Sequence, residues 1–277
     1  MHIARFCIVP LTILLIFCEA RKYEDAKQVR NFRIGDPIEL KIVSDRLEFR
    51  DVEGELPRNM FVKLPQLAHL KITGNISYIE PGAFSGLHAL VDLDLFQNKI
   101  RYLLNGTFKE AHNLKYLNLG ENELNYLEPK TFNGLTSLET LNMSFNRDLK
   151  VLRDNIYYGL SNLKKLNLID CGLHDIHRSA FYGLERLESL DLSKNNLKFV
   201  TSENFDDLIK MFDLNLSYNR IQQLQANSFS KRLYALRRLN LLYNNMNCTD
   251  AKRVAKEFSS TVQVIYRTPD GAGCKAV

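Results

Sequence analysis

One nine-residue pattern, LxxLxLxxN, recurs along most of this 277-residue chain and limits what the chain can fold into. Eight copies begin 23, 24, 24, 25, 24, 24 and 25 residues apart. They are LAHLKITGN from Leu67, LVDLDLFQN from Leu90, LKYLNLGEN from Leu114, LETLNMSFN from Leu138, LKKLNLIDC from Leu163, LESLDLSKN from Leu187, MFDLNLSYN from Met211 and LRRLNLLYN from Leu236. A period kept this closely indicates a repeat architecture in which neighbouring units share one core.

The alternating leucines of each copy predict a short strand with one buried side. A single strand cannot bury that side alone, so stacked repeats must bury it together beneath a parallel sheet. The sequence therefore predicts an α/β fold. This fold is a repeat solenoid with a curved parallel β-sheet on its concave face, and with loops and short helical turns on its convex face.

Two more columns of residues recur with the same period. Buried side-chain amides are expected to bond backbone groups of neighbouring turns at Asn75, Asn98, Asn122, Asn146, Asn195, Asn219 and Asn244. Buried aromatic rings are expected to pack the convex side at Phe84, Phe108, Phe132, Tyr157, Phe181, Phe205 and Phe229. Both columns belong to the predicted core.

The stretch CGLHDIHRS brings together residue types that bind zinc: Cys171, His174, Asp175 and His177. Cys171 occupies the place of the recurring asparagine, and this repeat pattern accepts cysteine there. Leu173 and Ile176 align with buried positions, so both histidines and the aspartate should face solvent, away from the thiol. We therefore predict a buried, inert thiol and no metal; a zinc site is the alternative.

Both ends of the chain depart from the repeat. Residues 1–20 have the charge, short apolar run and small residues of a signal peptide, and a bacterial lipoprotein modified at Cys18 is the alternative. A flexible segment, an N-terminal cap with the first rung, the eight repeats and a C-terminal cap then follow, at residues 21–33, 34–66, 67–246 and 247–277. No later segment is long and apolar enough to span a membrane, so the sequence predicts a secreted, extracellular protein.

The C-terminal cap is predicted to contain a short helix, because four apolar residues fall at helical spacing: Ala251, Val254, Ala255 and Phe258. Thr249 or Asp250 is expected to cap the start of this helix. The following TVQVIY predicts a strand. Cys248 and Cys274 bracket the segment, and in a secreted chain they are expected to form a disulfide.

These features resemble extracellular leucine-rich repeat proteins over roughly residues 45–275. The ending NNMNCTDAKRV…GAGCKAV is similar to the C-terminal cap of the leucine-rich immune proteins of mosquitoes, which are secreted into the haemolymph. That resemblance implies innate immune recognition, with a complement-like thioester protein as the partner. The sequence shows neither the coiled coil through which many members pair nor the cysteines of an N-terminal cap, so a monomer is expected.

Alternate strand residues should point to the concave face, where we expect a protein ligand to bind. The candidate anchors are Phe96, Tyr116, Phe145, Lys165, Ile169, Tyr218, Arg238 and Tyr243. The alternative is that exposed aromatic side chains there only pack on neighbouring rungs. Among five N-x-S/T sequons, the predicted N-glycosylation sites are Asn105, Asn142 and Asn215. Asn75 is not among the predicted sites because it belongs to the buried column.

Catalysis and cofactors find little support in the sequence. Asp92 and Asp94 point outward from one strand, as a glycosidase pair would, but a solvated acidic patch is the preferred interpretation. Phosphate loops, nucleophile elbows and paired metal motifs do not occur, and the outward columns mix both signs of charge, unlike a nucleic-acid face. We predict a secreted, non-enzymatic protein that binds another protein in innate immune recognition; a structural matrix or cell-adhesion role is the alternative.

Overall fold

The computed structural model describes residues 44–258 and 261–266, together with three short strands nearer the N-terminus. These are Leu15–Ile16 (β1), Lys27–Arg30 (β2) and Ile38–Glu39 (β3). β1 pairs with β3 antiparallel, and the rest of the predicted signal peptide lies outside the described residues. β2 lies within the segment predicted to be flexible. It pairs with Arg46–Leu56 (β4), because the edge of that strand offers backbone groups.

The later strands are short and regularly placed. They are His69–Ile79 (β5), Asp92–Asp94 (β6), Tyr102–Leu103 (β7), Tyr116–Asn118 (β8), Tyr126–Leu127 (β9), Thr140–Asn142 (β10), Val151–Leu152 (β11), Lys165–Asn167 (β12), Asp175–Ile176 (β13), Ser189–Asp191 (β14), Asp213–Asn215 (β15), Arg238–Asn240 (β16) and Gln263–Ile265 (β17). The helical segments are a 3-10 helix, Ser202–Phe205, and the α-helices Ala226–Arg232 (α1) and Cys248–Glu257 (α2).

The main sheet follows the order β2-β4-β5-β6-β8-β10-β12-β14-β15-β16-β17, and every pairing within it is parallel. Two small parallel sheets, β7-β9 and β11-β13, follow the same repeats beside it. Because repeat lengths are nearly constant, equivalent residues meet in register, and Leu117 lies between Leu93 and Leu141. The predicted parallel solenoid is confirmed.

The aromatic column is also confirmed, and it shows which way the solenoid bends. All seven predicted rings are at most 2% exposed, and the equally buried Phe61 extends the column toward the N-terminus. Neighbouring rings of the column lie 5.5–6.0 Å apart between centroids. Strands in a sheet are about 4.8 Å apart. Since the rungs are more widely spaced at the rings, the sheet lies on the inside of the bend and forms the concave face.

The asparagine column acts as predicted in six repeats, where these side chains are buried. At Asn122, Nδ2 donates to the carbonyls of Leu95 and Leu119 at 3.0 and 3.1 Å. Its Oδ1 accepts the N–H of Ile100 at 3.1 Å. Each amide therefore joins its own turn to the turn of the preceding repeat, and it satisfies backbone groups that strand pairing leaves unbonded.

Asn75 is the exception, and its predicted burial is wrong because its side chain is exposed. Pairing between β4 and β5 continues past the turn, with Val52 beside Gly74 and Glu53 beside Asn75. In this repeat, strand pairing therefore runs along the stretch of backbone that an inward asparagine side chain bonds in the other repeats. Gly74 permits this close approach, since a Cβ there would lie 2.4 Å from the backbone nitrogen of Val52.

The C-terminal helix and strand are confirmed at α2 and β17, but the predicted capping residue is wrong. Asn247 caps α2, and its side chain accepts the N–H of Asp250 at 2.8 Å. An Asn at this position can satisfy an otherwise orphaned amide of the first turn. Ala251 and Val254 face the core, and β17 adds a last strand beside β16. Cys274 lies outside the described residues.

Candidate protein-binding face

The concave face presents three rows of side chains, each with one residue per strand. We call the residues at the start of the strands the first row: His69, Asp92, Tyr116, Thr140, Lys165, Ser189, Asp213 and Arg238. The middle row is Lys71, Asp94, Asn118, Asn142, Asn167, Asp191, Asn215 and Asn240. The third row follows each strand: Thr73, Phe96, Gly120, Ser144, Ile169, Ser193, Ser217 and Leu242. Every residue of these rows is at the position that the period predicts.

The middle row serves the fold more than it serves a ligand. In all seven of its Asn and Asp residues, a side-chain oxygen accepts the N–H two residues further on, at 2.8–3.1 Å. Neighbouring members also bond one another, as Asn142 Nδ2 does to Asn118 Oδ1 at 2.8 Å. Sequence reasoning treated this row as free surface. The recurrence of Asn or Asp in seven consecutive repeats was the signal that these side chains close a turn.

Beside the third row runs a rim row, which we define as Gln97, Glu121, Phe145, Asp170, Lys194, Tyr218 and Tyr243. Every member precedes the recurring asparagine or Cys171, and every member has a positive φ between 49° and 62°. Glycine and asparagine adopt this conformation easily, whereas it is unusual for bulky side chains. The repeat geometry therefore imposes a strained backbone at the rim, and two tyrosines and a phenylalanine nevertheless occupy it.

The candidate anchors differ in exposure. Tyr116, Phe145, Tyr218 and Tyr243 are 48, 37, 49 and 47% exposed, which is high for large hydrophobic side chains. Phe96 and Ile169 are half-buried. Phe96 lies over Gly120, where an added Cβ would come within 3.2 Å of Phe96 Cδ2. Phe96 thus packs on a neighbouring rung and offers a ligand less surface.

The structure brings two anchors into direct contact at the C-terminal end of the rim. The rings of Tyr218 and Tyr243 are stacked, with centroids 4.4 Å apart and planes 25° from parallel. Partial desolvation and the neighbouring Tyr243 raise the pKa of Tyr218 above its ordinary value. Arg238 is on the first row of the repeat that contains Tyr243. It makes a bidentate ion pair with Asp213, in the repeat that contains Tyr218, at 2.5 and 2.8 Å.

A second group of candidates lies on or just after β6, β8, β10 and β12, and it comprises Phe96, Tyr116, Phe145, Lys165 and Ile169. Between the two groups, β14 and the turn after it contribute the small or acidic side chains of Ser189, Asp191 and Ser193 to the three rows. The predicted anchors therefore form two aromatic patches, and a polar strip separates them.

Charges on the concave face are mostly paired. His69 Nδ1 lies 3.5 Å from Asp92 Oδ2, and Lys71 Nζ lies 3.4 Å from Asp94 Oδ2. The bidentate contact with Asp213 raises the pKa of the Arg238 guanidinium. No continuous field of one sign results, so the aromatic patches are the more distinctive feature of this surface.

The stretch CGLHDIHRS is arranged as the repeat predicts. Cys171 is fully buried, and its Sγ lies 3.2 Å from the carbonyl oxygen of Met143, where the asparagine amide of other repeats donates. His174, Asp175 and His177 are exposed, and His177 Nδ1 is 2.8 Å from Asp154 Oδ2. Within the described part of the chain, no three His, Cys, Asp or Glu side chains are grouped as metal ligands would be.

Burial raises the pKa of the Cys171 thiol to about 12, so almost no thiolate forms near neutral pH. We expect a soluble thiol reagent at pH 8 to modify Cys171 in the folded protein about 1000-fold more slowly than in denaturant, because the unfolded thiol titrates near its usual pKa. Rates measured with and without denaturant test this expectation. Rapid labelling of the folded protein would contradict the buried placement.

The predicted glycosylation sites have different surroundings. Asn105 is exposed, and its backbone N–H donates to Glu128 Oε2 at 2.7 Å. Asn142 and Asn215 are partly buried in the middle row, where Asn215 Nδ2 donates to Asp191 Oδ2 at 2.9 Å. The hydroxyls of Ser144 and Ser217 donate to the side-chain oxygens of these two asparagines. Glycosylation at all three stays a prediction.

Comparison with known proteins agrees with this architecture. The family model described as leucine rich repeat matches residues 54–100, 101–147, 144–195 and 161–221, which together cover more than half of the chain. The chain belongs to the leucine-rich repeat family. No curated protein matches its sequence significantly. Among the described residues, no helix of this leucine-rich repeat protein has the length and apolarity needed to cross a membrane.

Two solved leucine-rich repeat structures are similar in fold. One is a complex of TLR13 with ssRNA13, at 24% identity and a TM-score of 0.54 over 80% of this chain. The present chain spans only 36% of the TLR13 chain. The other is human 5T4, also called Wnt-activated inhibitory factor 1 and trophoblast glycoprotein, at 24% identity and a TM-score of 0.59. That likeness covers 76% of this chain and 81% of the 5T4 chain. At such identity the likeness concerns the fold alone.

Proposed function

We propose that this leucine-rich repeat protein is secreted and binds another protein through its concave face and rim row, in innate immune recognition. The observation that carries the proposal is the rim row itself. Its backbone favours glycine or asparagine, so local backbone preference does not explain why Phe145, Tyr218 and Tyr243 occupy these positions. Exposed aromatic side chains on a rigid scaffold are typical anchors of protein interfaces.

The size of the face suits a protein ligand. From β4 to β17 the main sheet has ten strands, which at about 4.8 Å each make a face roughly 43 Å long. A standard interface buries about 800 Å² on each partner, and a face of this length can supply that area. Nucleic acid is less well suited, because phosphate binding needs unpaired Lys and Arg in one field. Of the Lys and Arg residues in the three rows, Lys71 and Arg238 are in ion pairs, and Lys165 is the remaining one.

Catalysis is not part of the proposal. Asp92 and Asp94, the acidic pair considered from the sequence, each contact a basic side chain, His69 and Lys71 respectively. Such pairing favours the solvated acidic patch over a glycosidase pair, in which one carboxyl group must stay protonated. The immune role and a complement-like thioester protein as the partner rest on the resemblance of the C-terminal cap.

We also propose that a disulfide between Cys248 and Cys274 closes the C-terminal cap. Cys248 begins α2, next to the capping residue Asn247. Closing a loop of this length is worth about 3.5 kcal/mol in the chain-entropy model. Peptide mapping of the secreted protein without reduction should recover these two cysteines in one linked pair, with Cys171 unlinked. A disulfide at Cys171 would contradict both this proposal and the buried ladder position.

Affinity capture tests the proposed function. The purified protein, immobilised through its C-terminus, is incubated with cell-free body fluid of the source animal, and bound proteins are identified by mass spectrometry. The Tyr218→Ala/Tyr243→Ala variant, immobilised in the same way, serves as the matched control. We expect at least one protein to be retained by the parent and lost from the variant. If the same proteins bind the parent and the variant, the Tyr218–Tyr243 pair is not the binding site.

A further inference from the structure

The five sequons of the chain differ in the surroundings of the asparagine side chain, and Asn105, which is exposed, is already a predicted site. Asn142 and Asn215 use both amide atoms in the middle row. Asn247 uses its Oδ1 to cap α2. The sequence predicts no glycan at Asn75 because its column should be buried, yet its side chain is exposed. In the described part of the chain, the Asn75 amide makes no hydrogen bond.

We propose that Asn75, in the sequon Asn75-Ile76-Ser77, carries an N-linked glycan. The proposal rests on the secretory route proposed above, since the modifying enzyme acts in that compartment. In the reaction, Asn75 Nδ2 would attack the anomeric carbon of a lipid pyrophosphate-linked oligosaccharide. The new N–C bond replaces the C–O bond to the pyrophosphate, which leaves with its electron pair, and Nδ2 loses one proton.

The local fold accepts the added sugar without rearrangement. The backbone at Asn75 is held by its pairing with Glu53 of β4, and no core contact depends on the side chain. Ile76, the middle residue of the sequon, is fully buried and anchors the strand. Ser77 is only partly exposed, and its hydroxyl lies 3.5 Å from the carbonyl oxygen of Gly54. A glycan at Asn75 would therefore extend into solvent from a rigid strand.

This position also keeps the glycan away from the stacked tyrosines. Asn75 is on β5, and Tyr218 follows β15, six strands further along the sheet. At about 4.8 Å per strand, the separation is roughly 29 Å. A glycan at Asn75 would cover the N-terminal end of the rim row and leave the Tyr218–Tyr243 pair free. The modification is thus compatible with a partner that docks at the C-terminal half of the concave face.

Isotope-labelled deglycosylation tests the site directly. The full chain is expressed in insect cells with its own N-terminus, and also with a well-characterised signal peptide in place of residues 1–20. Enzymatic release of N-glycans in H₂¹⁸O converts a glycosylated Asn into ¹⁸O-labelled Asp. Trypsin places Asn75 in peptide 72–99, and it places the sequons of Asn105, Asn142 and Asn215 in peptides 102–109, 131–147 and 211–220. Each of these sites is therefore read separately.

We expect most copies of peptide 72–99 from the secreted protein to carry the ¹⁸O label. Asn75→Gln and Ser77→Ala should each remove it, together with one glycan's mass on a gel, while Ser77→Thr retains it. Secreted protein with unlabelled peptide 72–99 would overturn the proposal, whichever signal is used. Failure of the natural N-terminus alone to direct secretion would instead count against the proposed function, because the second version still tests Asn75.

Discussion

Replacing Asn146 with alanine is expected to lower the free energy of unfolding by about 2–5 kcal/mol, because three hydrogen bonds to buried backbone groups are lost and the N–H of Leu124 loses its partner. Asn146 is fully buried, and its Nδ2 donates to the carbonyls of Leu119 and Met143 at 2.9 and 2.7 Å. Its Oδ1 accepts the N–H of Leu124 at 3.0 Å. The unsatisfied N–H costs about 1–3 kcal/mol. Each lost bond to a carbonyl costs about 0.5–1.5 kcal/mol, because Asn122 and Cys171 still donate to these two carbonyls. Urea denaturation followed by circular dichroism measures the change.

Asn75→Ala is the matched control, since Asn75 occupies the same place in its own repeat but points to solvent. Unfolding of the Asn75→Ala variant should differ from that of the parent by no more than about 0.5 kcal/mol, as for most surface substitutions. Both variants should be compared after removal of N-glycans, so that a lost glycan does not enter the difference. Similar destabilisation by both substitutions would mean that the column does not work through its hydrogen bonds.

The second large effect concerns binding. Changing Tyr218 to alanine should weaken binding of a captured partner by about 5–150-fold, the range of a single interface anchor. Tyr243→Ala should have a similar effect. The fold-loss of affinity in the double variant should be smaller than the product of the two single losses. The rings are stacked at 4.4 Å, so each substitution also alters the other ring's surface. Surface plasmon resonance at matched salt concentrations measures all three values.

Folding of these variants should be unaffected, because neither tyrosine belongs to the buried columns. Alanine keeps the Cβ that makes a positive φ costly, so this backbone cost is similar in the parent and in the alanine variants. Leu190→Ala is the contrasting core variant, expected to cost about 2–5 kcal/mol of stability, since Leu190 is 1% exposed. A loss of binding that accompanies a loss of stability in the tyrosine variants would count against a role as anchors.

The repeat and its core could be predicted because they depend only on period. A residue that recurs every 24 positions or so meets its equivalents in the next rung, whatever the rest of the chain does. The leucines, the aromatic column and the place of Cys171 were all predicted on that basis. The repeat that begins at Leu138 is one residue longer than the repeat before it. In this longer repeat, the N–H of Leu149 donates to the carbonyl of Asn146.

What the period could not reveal are contacts that depend on a neighbour outside the pattern. Asn75 is exposed because β4, which lacks the full motif, pairs with β5 beyond the turn. The capping of α2 by Asn247 likewise depends on where the last rung ends. For the binding face, the period located every row, but it did not distinguish the middle row, whose side chains close turns, from the rim row, whose aromatics are free to contact a partner.

The most direct test of the account compares two pairs of exposed tyrosines on opposite sides of the solenoid. Tyr218 and Tyr243 are on the rim row, whereas Tyr182 and Tyr234, which are 59 and 66% exposed, lie within a few residues of the buried aromatic column on the convex side. Affinity for the captured partner is measured for the parent and for the two double alanine variants, after glycans have been mapped. We predict that the Tyr218→Ala/Tyr243→Ala variant binds at least about 10-fold more weakly, while the Tyr182→Ala/Tyr234→Ala variant binds like the parent. Unchanged affinity in the first variant, with its fold intact, would contradict the account.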